Sequence, residues 1–340
     1  MHKGGVILMS GKRRIAWIDI AKAIGIIAVV VGHAYPEHDT FYNVLYWWHM
    51  PLFFMIGGFF LRPLQVGQFK TFAQHKLVPL LREYFGFGLF LTLVSAWVTP
   101  EKWQGLAQGL SDLLYGGTHL NGVLSAFWYM TVYLLAVTLL TVIISFVPQN
   151  WLRWLIVTAA FLVGTAYSNA GDLFGFALPG DADVTLCALF YMYAGRELFR
   201  YQRQRLRSNW WLSVIVALSS AGIMAQQLGV IDLHLYMKSH EITSQSLALI
   251  LPLILCSAIF MLAYWLQFTP FVNGLTFVGK HTMIIMYLHK LVFAIFERLA
   301  GGSWLLLAVA GLMIPIMMMV SFERLKESQQ RLFWLTPRLQ

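Results

Sequence analysis

The chain has 340 residues, of which 59% are hydrophobic and only 11% charged, with a formal net charge of +9. Soluble domains carry about 25% charged residues, so the composition excludes an ordinary soluble fold and predicts an all-α, polytopic transmembrane helical bundle. Its apolar runs are continuous and not alternating, which excludes a β-barrel. The basic excess fits the positive-inside bias, and no nucleic-acid partner is needed to explain it.

Ten spans are predicted in chain order, at 15–33, 44–61, 78–98, 124–146, 152–170, 184–199, 209–228, 244–266, 273–296 and 303–322. They form one membrane-embedded domain over 1–340, with a basic lead at 1–14 and a tail at 323–340. The lead has no small-residue cleavage site, so the first run reads as a retained span. Both termini are then cytoplasmic. Of the 24 Lys and Arg, only Lys102, Lys238, Lys290 and Arg298 fall on the outer side, and Lys22 lies within the membrane.

The first span, IAWIDIAKAIGIIAVVVGH from Ile15 to His33, is apolar yet carries Asp19 and Lys22. Three residues apart, these two share a helix face, and His33 lies about three turns further on. Charged groups at membrane depth mark a bundle interior or a water-filled cavity. An imidazole there is suited to general-base work. A base needs a partner to hold its tautomer, and Glu37, Asp39 or His49 can supply it.

The second span opens on Trp47, Trp48, His49 and Pro51, with Pro51 expected near its first turn. Gly57 and Gly58 allow close helix approach. The basic residues Arg62, Lys70, Lys76 and Arg82 follow, either as a plain topogenic loop or as a surface for an anionic ligand such as a nucleotide phosphate. Residues 99–123 are weakly amphipathic and suit the interface. Trp128 and Tyr129 open the fourth span as an aromatic belt. The segment 196–208 is dense in arginine. The outer segment 229–243 carries Asp232, His234, His240 and Glu241. The ninth span has Lys280 and His281 at its start, then Tyr287, His289 and Lys290.

Cys187 and Cys256 sit in apolar runs without a nearby partner, so no disulfide framework is indicated. HExxH, CxxC, glycine-rich phosphate-loop and GxSxG motifs are all missing from the sequence. Metal binding and serine hydrolysis are not supported.

The runs WIDIAKAIGIIAVVVGH and WWHMPLFFMIGGFFLRPL resemble the bacterial membrane-bound acyltransferase-3 family, in its fucose 4-O-acetylase-like, polysaccharide O-acetyltransferase branch. The family's basic residue, ten residues, then histidine is matched by Lys22 and His33. Lysine stands here where many members have arginine, which keeps the charge and loses the bidentate fork. Phe53 to Phe60 resembles its FFxISGF-like segment, Arg62, Lys76 and Arg82 its basic cluster, Trp128 and Tyr129 its tryptophan–tyrosine motif, and Leu288 and His289 its late leucine–histidine pair. The likeness runs from residue 13 to about 325 and is most specific over the first sixty residues.

The resemblance implies an integral-membrane O-acyltransferase of about ten spans in the bacterial inner membrane. Acetyl-CoA, the donor substrate, would meet it from the cytoplasm, and a sugar of a surface polysaccharide or lipid-linked precursor would accept the acyl group. No cofactor would be permanently bound. His33 is then the base, with Lys22 and Asp19 orienting it and His49 beside it. Arg62, Lys76 and Arg82 hold the CoA phosphates, and Trp128, Tyr129 and His289 face the substrate. A cavity across much of the membrane is implied. The competing class is a transporter or flippase for a glycolipid or small anion. Intramembrane charges suit it, but no inverted repeat or paired broken helices are visible.

Overall fold

The computed structural model describes residues 14–98, 102–299 and 302–335. Thirteen α-helices are described there: α1 Ala16–Ala34, α2 Thr40–Gly58, α3 Phe69–Phe72, α4 Val78–Val98, α5 Lys102–Tyr115, α6 Trp128–Phe146, α7 Asn150–Gly164, α8 Val184–Glu197, α9 Asn209–Gln227, α10 Gln245–Leu266, α11 Val272–Lys280, α12 Thr282–Leu299 and α13 Trp304–Leu335. A two-residue antiparallel hairpin, β1 Leu235–Tyr236 with β2 Glu241–Ile242, is the β structure among these residues.

The chain is thus a multi-pass membrane helical bundle. Among the described residues, five helical stretches are long and apolar enough to cross a bilayer: Ala16–Ala34, Val66–Trp97, Gly122–Phe146, Gln245–Leu266 and Trp304–Leu325. The other predicted spans correspond to shorter or less apolar helices. Two of them depart from the sequence expectation. The segment 184–199 gives a helix of 14 residues, and 273–296 is divided at His281, whose backbone is not helical.

The first helix is the hub, packed by α2, α10, α11, α12 and α13. It has no side-chain N-cap, so packing and not capping holds it. It ends at Tyr35, which takes extended dihedrals because Pro36 disfavours helix in the residue before it. The second helix starts at Thr40 on the Asp39 cap, whose carboxylate accepts the Tyr42 N–H at 3.0 Å. It therefore begins earlier than the sequence suggested, and Pro51 lies in its interior and not in its first turn. An interior proline removes one i→i−4 bond and strains the preceding turn, here the turn carrying Trp47 to His49.

Glycine brings α1, α2, α8 and α11 into backbone contact. Gly25 faces Leu52 and Phe53, and Gly32 faces Tyr46, so α1 and α2 run antiparallel. At Gly58 a Cβ would strike the Met192 carbonyl, at Gly195 the Met55 backbone, and at Gly279 the Asp19 carbonyl. Small residues at crossings are how membrane helices approach closely.

Arg196, expected in the inner basic segment, is buried on α8 beside buried Glu197, and its Nε donates to the Leu61 carbonyl at 3.1 Å. Within the amphipathic stretch 99–123, Lys102–Tyr115 forms a helix packed on α4, with the Tyr84 hydroxyl donating to the Leu113 carbonyl at 2.8 Å.

Candidate active site

One elongated cavity of about 940 Å³ runs beside α1. Lys22, Lys76 and Lys280 line it toward the N-terminal end of α1, and the 235–242 hairpin lines the opposite end. The antiparallel register and the Gly279–Asp19 contact explain the lysine end. They bring the start of α1, the end of α2 and the end of α11 to one level. Lys22 pairs with Asp19 at 2.5 Å, the i, i+3 pair that the spacing predicted.

His33 lines the same cavity. Its Nδ1 lies 2.8 Å from His289 Nε2, 256 residues away in sequence. The ring planes are within 5°, and the centroids, at 5.1 Å, are much further apart than the two nitrogens. The rings therefore meet edge to edge, as a linear hydrogen bond requires. His289 is fully buried, and its Nδ1 lies 2.9 Å from the Ile285 carbonyl. A carbonyl only accepts, so His289 carries its proton on Nδ1 and offers a lone pair at Nε2. His33 must then donate from Nδ1, and in its neutral form the ring keeps its lone pair on Nε2. In that neutral form the pair supplies one basic nitrogen at the wall of the cavity.

The carboxylates expected to hold His33 are occupied elsewhere. Asp39 caps α2 and accepts the Tyr35 hydroxyl at 3.1 Å, and Glu37 accepts the same hydroxyl at 3.3 Å. His49 also lines the cavity, with Nδ1 2.6 Å from the Leu45 carbonyl and its ring on Tyr46. Trp128 and Tyr129 line the chamber and are not a lipid-facing belt. Trp128 is buried, and Tyr129 packs on Phe54. Of the three expected phosphate binders, only Lys76 reaches the cavity. Arg62 and Arg82 are exposed and do not line it. Proximity in sequence had grouped them, but Arg62 lies in the non-helical segment after α2, Lys76 in a π-helical turn at Ala73–Leu77 and Arg82 on α4.

The hairpin end was not foreseen as part of the site. Tyr42, Tyr46 and Tyr236 form an aromatic wall there, with ring centroids 4.4 to 5.6 Å apart. Lys238 donates to the Leu120 carbonyl at 2.5 Å. Burial lowers the pKa of its ammonium, against the opposing pull of Asp181. Behind the hairpin, His240 donates from Nε2 to Asp183 at 2.9 Å, both groups being buried. Burial raises the Asp183 pKa, but the bond and charge of His240 outweigh it and hold that carboxyl below its usual range. Asp181, which accepts the Thr118 N–H at 2.7 Å, is pushed up to about 6 by burial. Among the described residues no three His, Cys, Asp or Glu side chains converge to hold a metal ion.

Fold and chamber together define a polytopic membrane protein with a lysine-bearing cavity beside α1 and a histidine of a histidine pair at its wall. The acyltransferase-3 family profile, described as an acyltransferase domain, matches residues 15–322. The chain belongs to this family of membrane acyltransferases. No curated protein and no solved structure matches it.

Proposed function

We propose that this protein transfers an acyl group, acetyl in the simplest case, from a coenzyme A thioester to a hydroxyl of a saccharide acceptor. The observation that carries the reading is that one and the same cavity is lined by Lys22, Lys76 and Lys280 and by His33. Lys22, Lys76 and Lys280 are ammonium donors suited to the phosphates of an acyl-CoA. Eleven residues of α1 separate Lys22 from His33, about 16 Å along the axis. The two-amide arm of coenzyme A matches about four extended residues in chain length, so it reaches about 14 Å. Phosphates held at the lysines thus bring the thioester near the histidines.

In this reading His33 Nε2 takes the acceptor hydroxyl proton while the oxygen attacks the thioester carbonyl. The new C–O bond forms, the C–S bond breaks, and the imidazolium returns its proton to the departing thiolate. His289 holds the tautomer. The likeness to polysaccharide O-acetyltransferases supports a surface glycan or its lipid-linked precursor as acceptor. The charge bias supports ten spans with both termini cytoplasmic in a bacterial inner membrane, so that donor and acceptor enter from opposite sides.

His33→Ala and His33→Gln test the reading in purified protein. A missing general base costs about 10²–10⁴ in rate. Both variants are expected to reach the membrane in normal amount, bind acetyl-CoA and lose transfer by that factor. Glutamine does not rescue, because it cannot take up the proton. Near-wild-type turnover in either variant rejects His33 as the base.

A further inference from the structure

Charge around the cavity is lopsided. Lys22, Lys76, Lys238 and Lys280 line it, and Glu241 is the one carboxylate among its described lining residues. Glu241 is already engaged by His234, 3.1 Å away, which also lies 3.4 Å from Asp232. Three of the lysines belong to the end assigned to the donor. Lys238 sits at the other end, on the hairpin, and among the described residues it has no ion pair. Its bond to the Leu120 carbonyl uses one of three donor positions. Asp181, the carboxyl that acts on it electrostatically, spends one oxygen on the Thr118 N–H and does not approach to ion-pair distance.

The surroundings of Lys238 form a subsite. Tyr236 stacks its edge on Tyr46 at 5.1 Å, and Tyr46 lies against His49 at 4.7 Å and over Gly32, next to His33. A continuous aromatic wall therefore leads from the hairpin to the histidines. We propose that the acceptor carries an oxyanion group, a phosphate or a carboxylate, which pairs with Lys238 while its hydroxyl-bearing ring lies along Tyr236 and Tyr46. Lys238 then selects anionic acceptors, as Lys22, Lys76 and Lys280 select an anionic donor. The inference rests on the acyl-transfer reading of the same cavity and adds the charge of the second substrate.

The test uses full-length protein in lipid nanodiscs with saturating coenzyme A, so that the three-lysine end is filled. Methyl glucoside, glucuronate and glucose 1-phosphate are titrated by calorimetry; they share a hexose ring and differ in charge. At least one charged probe is expected to bind tenfold or more tighter than methyl glucoside, since charge-assisted bonds are about twice as strong as neutral ones. Which of the two does so tells carboxylate from phosphate. Lys238→Met is expected to erase the preference and Lys238→Arg to keep it, with melting temperatures checked for both. Equal affinities, no binding of either charged probe, or a preference that survives Lys238→Met overturns the inference. Because these titrations need no turnover, their outcome is independent of the His33 assays. Transfer to neutral acceptors without anion preference would reject this inference and leave the acyl-transfer reading standing.

Discussion

His33 and His240 are both histidines with one ring nitrogen in a short bond, at 2.8 and 2.9 Å, to a partner distant in sequence. Their partners and surroundings differ. His240 meets a carboxylate, Asp183, and does not line the cavity. It ties the hairpin to the N-terminus of α8, and its backbone sits in the left-handed region with φ at 62°. His33 meets another histidine and borders the chamber. A carboxylate partner is the feature usually sought around a general base, yet here it accompanies the histidine that braces the fold. What separates the two is where the free lone pair lies relative to the cavity.

The largest expected effect tests the bracing pair. Asp183→Ala leaves His240 without its buried partner, and breaking such a pair costs about 3–5 kcal/mol. Denaturant unfolding should show that loss, while turnover per folded molecule stays near wild type. Unchanged stability with lost turnover would reverse the roles of the two histidines.

His289→Leu comes next. It removes the acceptor that fixes the His33 tautomer, and kcat is expected to fall about tenfold to a hundredfold, by analogy with orienting partners elsewhere. Donor KM should not move. His289→Gln should recover part of the loss, since its carbonyl oxygen can accept the His33 N–H. A merely structural role would lower the melting temperature and give glutamine no advantage.

Smaller again is the difference among the basic residues. Lys76→Met is expected to weaken coenzyme A binding about tenfold, the scale of one charge-assisted hydrogen bond, and Arg62→Ala with Arg82→Ala by less than about twofold. Calorimetry with coenzyme A decides between the lysine end and the exposed arginines. Equal losses would move the donor site out of the cavity.

The smallest effect concerns Asp181. Its folded pKa, about 6, is raised, so its contribution to stability is present at low pH and lost as pH rises through that value. Asp181→Asn should gain about 1 kcal/mol at pH 7 and flatten the stability profile between about pH 4 and 6. Asp183, whose pKa is depressed, has the opposite sign and loses its contribution as pH falls. A steeper profile in Asp181→Asn would contradict the assignment.

Much of the site was legible because helix geometry acts locally. Lys22, Asp19 and His33 share one helix, and their spacing alone aligned them. His49, Trp128, Tyr129 and Lys76 were singled out and do line the chamber. The His33–His289 contact was not legible as a pair, since no local period joins residues 256 apart. The hairpin was missed because strands of two residues carry no alternation to read. Lys280 was noticed only as a charge at the start of a span; its place beside Asp19 and Lys22 depends on Gly279 meeting the Asp19 carbonyl. Arg62 and Arg82 were grouped with Lys76 by charge and nearness in sequence, and they do not line the chamber.

The central position of α1 also bears on how the chain is made. The helix is synthesised before its neighbours α10 to α13, which emerge more than 200 residues later. Until they arrive, Asp19 and Lys22 have each other but no full bundle to shield them from lipid. The chain therefore closes on itself late, through contacts of long sequence separation, and such contacts form slowly. A ribosome-released fragment ending before residue 282 lacks His289 and the Gly311 face that packs against it. Pulse labelling of such truncations should find them degraded quickly, whereas loss of the tail beyond 325 should leave lifetime unchanged.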